Sequence, residues 1–225
     1  SVLLDIPLVV FGENEAEYGN AIEDNEKPTR DPKYYSAELS IQDLVLGGIP
    51  AKDLIDDFGF KLSDLEAYFP VSPYDVEKTG TEVHYLGYYI KWHPQDVYYY
   101  SVENSNFMPN EHRTEGSYSK YSSLDDKIDW LHYHTTTIKF GIGRATYDSA
   151  QEIRNGDITR EEGVALIKRF DGEFPQQYIQ DCCNYMDITM QQYHDAIEKI
   201  RSPHLWNKVN GIWELKKPIW EQKKL

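Results

Sequence analysis

Two cysteines, three methionines and no long apolar run distinguish this chain first by what it lacks. Without roughly 18 consecutive apolar residues there is no membrane-spanning helix to expect. The opening Ser1-Val-Leu-Leu-Asp-Ile-Pro has no basic start and is broken by Asp5 and Pro7, so it does not read as a secretion signal. Cys182 and Cys183 are adjacent, a spacing that rarely closes a disulfide, and two thiols without further ligands make no zinc site. They are expected to be small buried hydrophobes on a helix, reduced in the cytoplasm. Positive charge is also scarce: 23 Lys and Arg stand against 38 Asp and Glu, a net charge of −15. A nucleic-acid-binding face must neutralise phosphates, so this balance argues against broad nucleic-acid binding while leaving room for a local basic pocket.

What is present suits a globular protein. Hydrophobic residues make up 40% of the 225 positions and aromatics 14%, enough for one large domain or two small ones. Ile6-Pro-Leu-Val-Val-Phe11, ending at Gly12, reads as a buried parallel strand, and Tyr85-Leu-Gly-Tyr-Tyr-Ile90 as a second. Two strands make an incomplete parallel sheet, so further strands are expected ahead of Ser1 or on another chain. Gly19 to Pro32 is a polar loop. Ser40 to Asp43 and Ser63 to Glu66 have capping-box spacing for short helices, the first ended by Gly47-Gly48.

From His93-Pro94 the pattern turns helical. Ile128, Leu131, Thr135 and Ile138 form one stripe of a helix from Leu124 to Phe140, with Ser123 as its cap and Gly141 as its stop. Thr159-Arg-Glu-Glu162 and Thr189-Met-Gln-Gln192 are capping boxes, the second with an Ile188–Tyr193 staple. The expected organisation is therefore α/β: residues 1–93 as an incomplete parallel sheet with loop insertions, then 94–225 as a helical subdomain. Trp206, Trp213 and Trp220 recur at intervals of seven in a lysine-rich tail, expected to be irregular because Gly211 and Pro218 interrupt it.

Three constellations carry candidate chemistry. Lys139-Phe-Gly-Ile-Gly-Arg-Ala-Thr146 lies between two helices. Gly141 and Gly143 can turn backbone N–H groups toward an anion, Lys139 and Arg144 add charge, and Thr146 opens the next helix. The same residues equally suit a glycine-capped helix connection with two solvated cations. Gly12-Glu13-Asn14 follows the first strand, where open α/β sheets bind ligands, or is simply a polar turn. Arg113, Glu115, Gly116, Tyr118 and Lys120 offer hydroxyls and charges for a sugar or nucleotide, or form a polar surface loop. Asp125 and Asp126 after them could hold Mg²⁺ or favour a helix amino end. His132 and His134, two apart on a helix, point to different faces and do not share a metal. Tyr98-Tyr-Tyr100 reads as packing.

Taken together these segments resemble the N-acetyl sugar amidotransferase family. The matching stretches include Gly12-Glu-Asn14 with Tyr18-Gly19, Tyr85-Leu-Gly-Tyr-Tyr-Ile-Lys-Trp92, and Arg113-Thr-Glu-Gly with Tyr118-Ser-Lys-Tyr121. They continue through Asp125-Asp-Lys-Ile-Asp129, Lys139 to Thr146, Glu152-Ile-Arg-Asn-Gly156, Arg160-Glu-Glu-Gly163, Asp171-Gly-Glu-Phe-Pro175 and Arg201-Ser-Pro-His-Leu-Trp206. The resemblance implies a cytoplasmic enzyme of the PP-loop ATP pyrophosphatase group, of adenine-nucleotide alpha-hydrolase-like fold. It would convert a sugar acetamido group to an acetamidino group in lipopolysaccharide or flagellar nonulosonate synthesis. ATP with Mg²⁺ would adenylate the amide oxygen, and ammonia from a partner glutaminase would displace AMP. The family's amino-terminal cysteine cluster and Ser-Gly-Gly-x-Asp-Ser loop are absent here, which implies a chain that carries only part of the site.

On that reading Lys139, Arg144 and Glu13 are catalytic. Gly12, Asn14, Gly141, Gly143 and Thr146 line the nucleotide, and Arg113, Glu115, Gly116, Tyr118 and Lys120 hold an N-acetylated, nucleotide-linked sugar. A homo-oligomer is compatible with it. Two other readings stand beside it: a non-catalytic module that docks the glutaminase, and a fragment of a PP-loop enzyme acting on tRNA.

Overall fold

The computed structural model describes residues 1–13, 15 and 19–221; Asn14 and Tyr18 lie outside them. The protein is a mixed α/β chain, mostly helical, with three small two-stranded sheets among the described residues. It divides into two compact units, Ser1–Trp92 and His93–Leu225.

In the first unit, β1 (Leu8–Phe11) pairs in parallel with Glu82–Tyr85 near the unit's end. The intervening chain forms β2 (Val45–Leu46), β3 (Ile49–Pro50), α1 (Ala51–Asp56), α2 (Leu62–Leu65) and α3 (Pro73–Thr79) before reaching that second parallel strand, β4. The strand expected at 85–90 thus sits earlier. Glu82-Val-His-Tyr85 alternates outward and inward, burying Val83 and Tyr85, whereas Leu86–Tyr88 coils into a 3₁₀ turn. Gly47 and Gly48 do not end a helix. Both have positive φ (58° and 84°) and form a two-residue hairpin turn between β2 and β3, a geometry that glycine adopts without strain. Asp43 does accept from the Ser40 amide and hydroxyl (3.2 and 2.6 Å), but the chain there makes turns. In α2 the capping carboxylate is Asp64, on the Lys61 amide at 2.9 Å, and not Glu66. Leu44, Ala51 and Leu65 form this unit's apolar centre.

The second unit opens with α4 (Pro94–Asn104), its first turn preset by Pro94 and capped by the His93 ring, which accepts from the Asp96 amide at 3.3 Å. Next comes α5 (Ile128–Phe140), which starts four residues later than the sequence pattern suggests. Ser123 adopts φ 55° and bonds the Asp129 carboxylate at 2.7 Å, while Asp126 accepts the Ile128 amide at 2.8 Å and does the capping instead. Helices α6 (Arg144–Asn155) and α7 (Arg160–Phe170) follow, and Gly163 lets them approach: a Cβ there would lie 2.7 Å from Ile153 Cδ1. The Thr159–Glu162 and Thr189–Gln192 capping boxes both form. Leu131 and Ile138 of α5 pack with Cys182 and Cys183 of α8 (Ile179–Tyr185) and Tyr193 and Ile197 of α9 (Met190–Ile200) as the unit's core. Both cysteines are free and buried.

The tail is not irregular. Trp206–Val209 (β5) and Ile212–Leu215 (β6) pair antiparallel around Asn210-Gly211, whose φ values of 50° and 83° make a two-residue hairpin turn. The tryptophans do act as anchors. The Trp206 indole donates to the Ile138 carbonyl at 2.7 Å and Trp213 to the Glu198 carboxylate at 2.8 Å, with the Arg201 guanidinium 4.9 and 5.3 Å from their ring centres.

Candidate functional site: an aromatic pocket at the start of α6

Two carboxylates that the residue pattern did not single out, Asp171 and Glu173, organise the region between α5 and α6. Asp171, just past α7, accepts the backbone amides of Gly143 (3.0 Å) and Thr146 (3.1 Å) together with the Thr146 hydroxyl. The helix amino end that could have cradled a ligand's phosphate therefore already holds an anion from its own chain. Burial pushes the Asp171 carboxyl up, against the pull of these hydrogen bonds. Gly143 is extended (φ −120°), and a Cβ there would lie 2.8 Å from the Asp171 carboxylate, so the glycine makes room for that clasp. Gly141 serves differently. It ends α5 in the left-handed region (φ 73°), and a Cβ on it would lie 2.9 Å from Leu215 of the hairpin.

Glu173 fastens the 113–117 loop. Its two oxygens accept two 2.6 Å bonds from the Arg113 guanidinium, and one also accepts the Gly116 amide at 3.0 Å. Burial pushes the Glu173 carboxyl up, but the bonds to Arg113 and Gly116 and the Arg113 charge outweigh it and leave the group below its ordinary value. Arg113 is raised by the same bond and stacks 4.5 Å from the Phe170 ring centre.

Along α6, Arg144, Asp148 and Glu152 recur every four residues and share one face. Asp148 accepts from Arg144 Nε (2.7 Å) and from the Ser117 hydroxyl. Glu152, buried, accepts from the Tyr118 hydroxyl (2.9 Å) and the Gln95 amide (3.2 Å). Burial and these acids push the Tyr118 hydroxyl well up and that of Tyr121, which stacks on Tyr98 at 4.6 Å, to about 12. His134 lies buried in the helical core, its Nδ1 3.2 Å from the Glu173 carbonyl, and burial lowers its pKa.

Above this scaffold opens a pocket of about 380 Å³ walled by His132, Tyr133, Thr136, Phe140, Arg144 and Tyr147. Arg144 brings a full positive charge to it. Asp148 fixes its Nε, while the terminal nitrogens reach Tyr133 Oη (3.3 Å) and Ser122 Oγ (3.4 Å) through bonds long enough to yield to a ligand. Phe140 and Tyr147 are more than half exposed. An aromatic-walled pocket with one oriented guanidinium can hold a ring-shaped ligand that bears an anionic group.

Of the residues proposed from the sequence that lie among the described residues, only Arg144 lines this pocket. Lys139 is exposed, its ammonium 5.1 Å from the Phe140 ring centre. Gly143, Thr146, Arg113 and Gly116 are bound to Asp171 and Glu173, and Tyr118 to Glu152. Lys120 donates to the Glu111 carbonyl (2.9 Å), and Glu115 accepts the Gln177 amide (3.0 Å). The structure thus engages the 113–120 residues in hydrogen bonds within the protein that shape the loop. Asp125 is exposed and Asp126 caps α5, and the described residues contain no group of three or more His, Cys, Asp or Glu side chains that could hold a metal. These two aspartates alone do not fit a Mg²⁺ site.

At the end of β1, Gly12 and Glu13 are exposed, and Asn14 lies outside the described residues. The engaged residue there is Glu15. Fully buried, it pairs with Arg30 Nε at 2.9 Å and accepts from the Tyr85 hydroxyl and the Asn20 amide. Nothing in its spacing marks it, because its partners come from three separate stretches of chain.

Residues 115–219 match the model of a family described as LPS biosynthesis protein WbpG-like, C-terminal domain. Over that stretch, from Glu115 through α5 to the hairpin and Ile219, the chain is similar to proteins of lipopolysaccharide biosynthesis, and the Arg144 pocket lies within it. No curated protein matches the chain. Among the described residues no helix is long and apolar enough to cross a membrane.

Proposed function

We propose that this chain is part of an ATP-dependent amidotransferase of lipopolysaccharide biosynthesis, and that the Arg144 pocket receives its N-acetylated sugar. The family match across 115–219 supports the pathway. The observation that carries the site is Arg144, held by Asp148 at 2.7 Å in a wall of Tyr133, Phe140 and Tyr147. Aromatic faces pack against the C–H faces of a pyranose, and a guanidinium fork grips a phosphate or carboxylate on it. In this reading ATP would adenylate the acetamido oxygen with loss of pyrophosphate, which turns a poor electrophile into one with a leaving group. Ammonia from a partner glutaminase then forms the acetamidino group and releases AMP. The part assigned to these residues is to bind, orient and shield the sugar from water. Glu13 and Asn14, after β1, remain the proposed nucleotide contacts, and any Mg²⁺ travels with the ATP phosphates.

The test is steady-state kinetics in the complete enzyme with its glutaminase. Arg144→Ala is expected to lower kcat/KM at least about 100-fold, and Arg144→Lys, which keeps charge but loses the fork, about tenfold. Lys139→Ala is expected to stay within about threefold of the parent, as an exposed lysine outside the pocket should. Unchanged kinetics in Arg144→Ala would remove the pocket from the reaction.

A further inference from the structure

A second pocket, of about 350 Å³, lies on the other side of Phe140, where the hairpin meets the α5–α6 turn. Its walls are aliphatic: Ile142, Leu205, Leu215 and Ile219, with the backbone of Gly141 and the Phe140 ring. Its polar lining consists of His204, Lys216 and Lys217, and no carboxylate lines it among the described residues. In a chain with 38 acidic and 23 basic residues, a pocket with cations and no acid selects for negative charge. Its position depends on two packing details already described. Gly141 lacks the Cβ that would strike Leu215, and Trp206 ties β5 to the Ile138 carbonyl at 2.7 Å. Lys216 is oriented by donating to the Pro203 carbonyl, and the His204 ring by the Ser202 hydroxyl.

We propose that this pocket is a binding site for an aliphatic anion: a phosphate or carboxylate carried on a short hydrocarbon chain. The lining chooses between candidate ligands. No carboxylate, carboxamide or hydroxyl side chain lines the pocket to read a nucleobase edge, and four branched aliphatic side chains suit a methylene chain better than a polar sugar. The volume accommodates roughly a ten-carbon body, by the size of ordinary small-molecule sites. Lys216, Lys217 and His204 at the rim hold the head group, while the hydrocarbon takes the interior. The site is independent of the sugar pocket and of the amidotransferase reading, because it shares only Phe140 with the first and needs no turnover.

Titration of the full chain with octyl phosphate, followed by amide chemical shifts, tests the assignment. Saturable shifts are expected at Gly141, Ile142, Leu205 and Leu215 to Lys217. Octanol and inorganic phosphate each lack one half of the ligand and should bind at least tenfold more weakly, and AMP should leave these amides unmoved. The double variant Lys216→Gln/Lys217→Gln, both at exposed positions, should fold normally and lose at least fivefold in affinity for octyl phosphate. Octanol binding as well as octyl phosphate would overturn the anionic part of the proposal. AMP moving the same amides would overturn the aliphatic part, and the absence of any shift at millimolar octyl phosphate would overturn both.

Discussion

Asp171 receives both the backbone amide of Thr146, at 3.1 Å, and that residue's hydroxyl, so one half-buried carboxylate holds the start of α6 from outside the helix. Replacing it with asparagine keeps the volume but removes the charge opposite the helix amino end and turns one acceptor into a donor. Asp171→Asn is expected to destabilise the second unit by about 2 kcal/mol, the scale of a lost charged hydrogen bond with an unsatisfied amide left behind. Thermal unfolding followed by circular dichroism measures it; a change under a few tenths of a kcal/mol would mean the clasp is ornamental.

Glu173 titrates with a definite sign. Its carboxyl lies below its ordinary value in the folded protein, so its contribution is complete above the unfolded pKa and is lost as pH falls through the folded one. Glu173→Gln should therefore cost about 1–2 kcal/mol near neutrality, the range for a half-exposed bidentate pair. The gap to the parent should narrow as pH drops below about 4.5. Urea unfolding at a series of pH values reads it directly, and a gap that widens on acidification would contradict the assignment.

Glu15 is the buried anion of the first unit, with Arg30, Tyr85 and Asn20 around it. Truncating it removes the acceptor of the Tyr85 phenol and one ion-pair partner of Arg30 from a buried site, so Glu15→Ala is expected to destabilise by about 3–5 kcal/mol. Tyr85→Phe, which removes one donor and leaves the ion pair, should cost about 1 kcal/mol. Urea denaturation of each variant gives the ranking, and equal losses would show that the pair does not depend on Arg30.

Two glycines separate steric from conformational cost. Gly143 has an ordinary φ of −120°, and an alanine methyl there meets first the Thr137 hydroxyl and then the Asp171 carboxylate in a buried site. Gly156 has φ 86° and open space around it. Gly156→Ala should cost about 1 kcal/mol, from backbone strain alone. Gly143→Ala should cost about 3 kcal/mol, because both the Thr137 side chain and the Asp171 clasp must move. The reverse order in melting temperature would argue against the Asp171 clasp.

Local order was legible in the sequence; convergence was not. Thr159 and Thr189 declared their helices because a capping box is written in four consecutive residues. Pro94 and Gly141 marked a start and a stop for equally local reasons. The hairpin at Asn210-Gly211 was legible too, since an Asn-Gly pair between Val209 and Ile212 is a hairpin signal. At the site, the pattern picked out Arg144, which lines the aromatic pocket. It could not reveal that Asp171, 25 residues from Thr146, would fill the turn meant for a phosphate. Nor could it reveal that Glu173, 60 residues from Arg113, would consume that guanidinium. A charged residue's availability depends on its distant partners, and a single sequence does not disclose them.

The two indoles that flank Arg201 have a practical corollary. Trp206 and Trp213 are each half-buried, hydrogen-bonded through nitrogen and pressed against a cation. Their emission should therefore register whether the hairpin is seated or lifted. The protein thus carries an intrinsic optical gauge of its carboxy-terminal region, readable without a label.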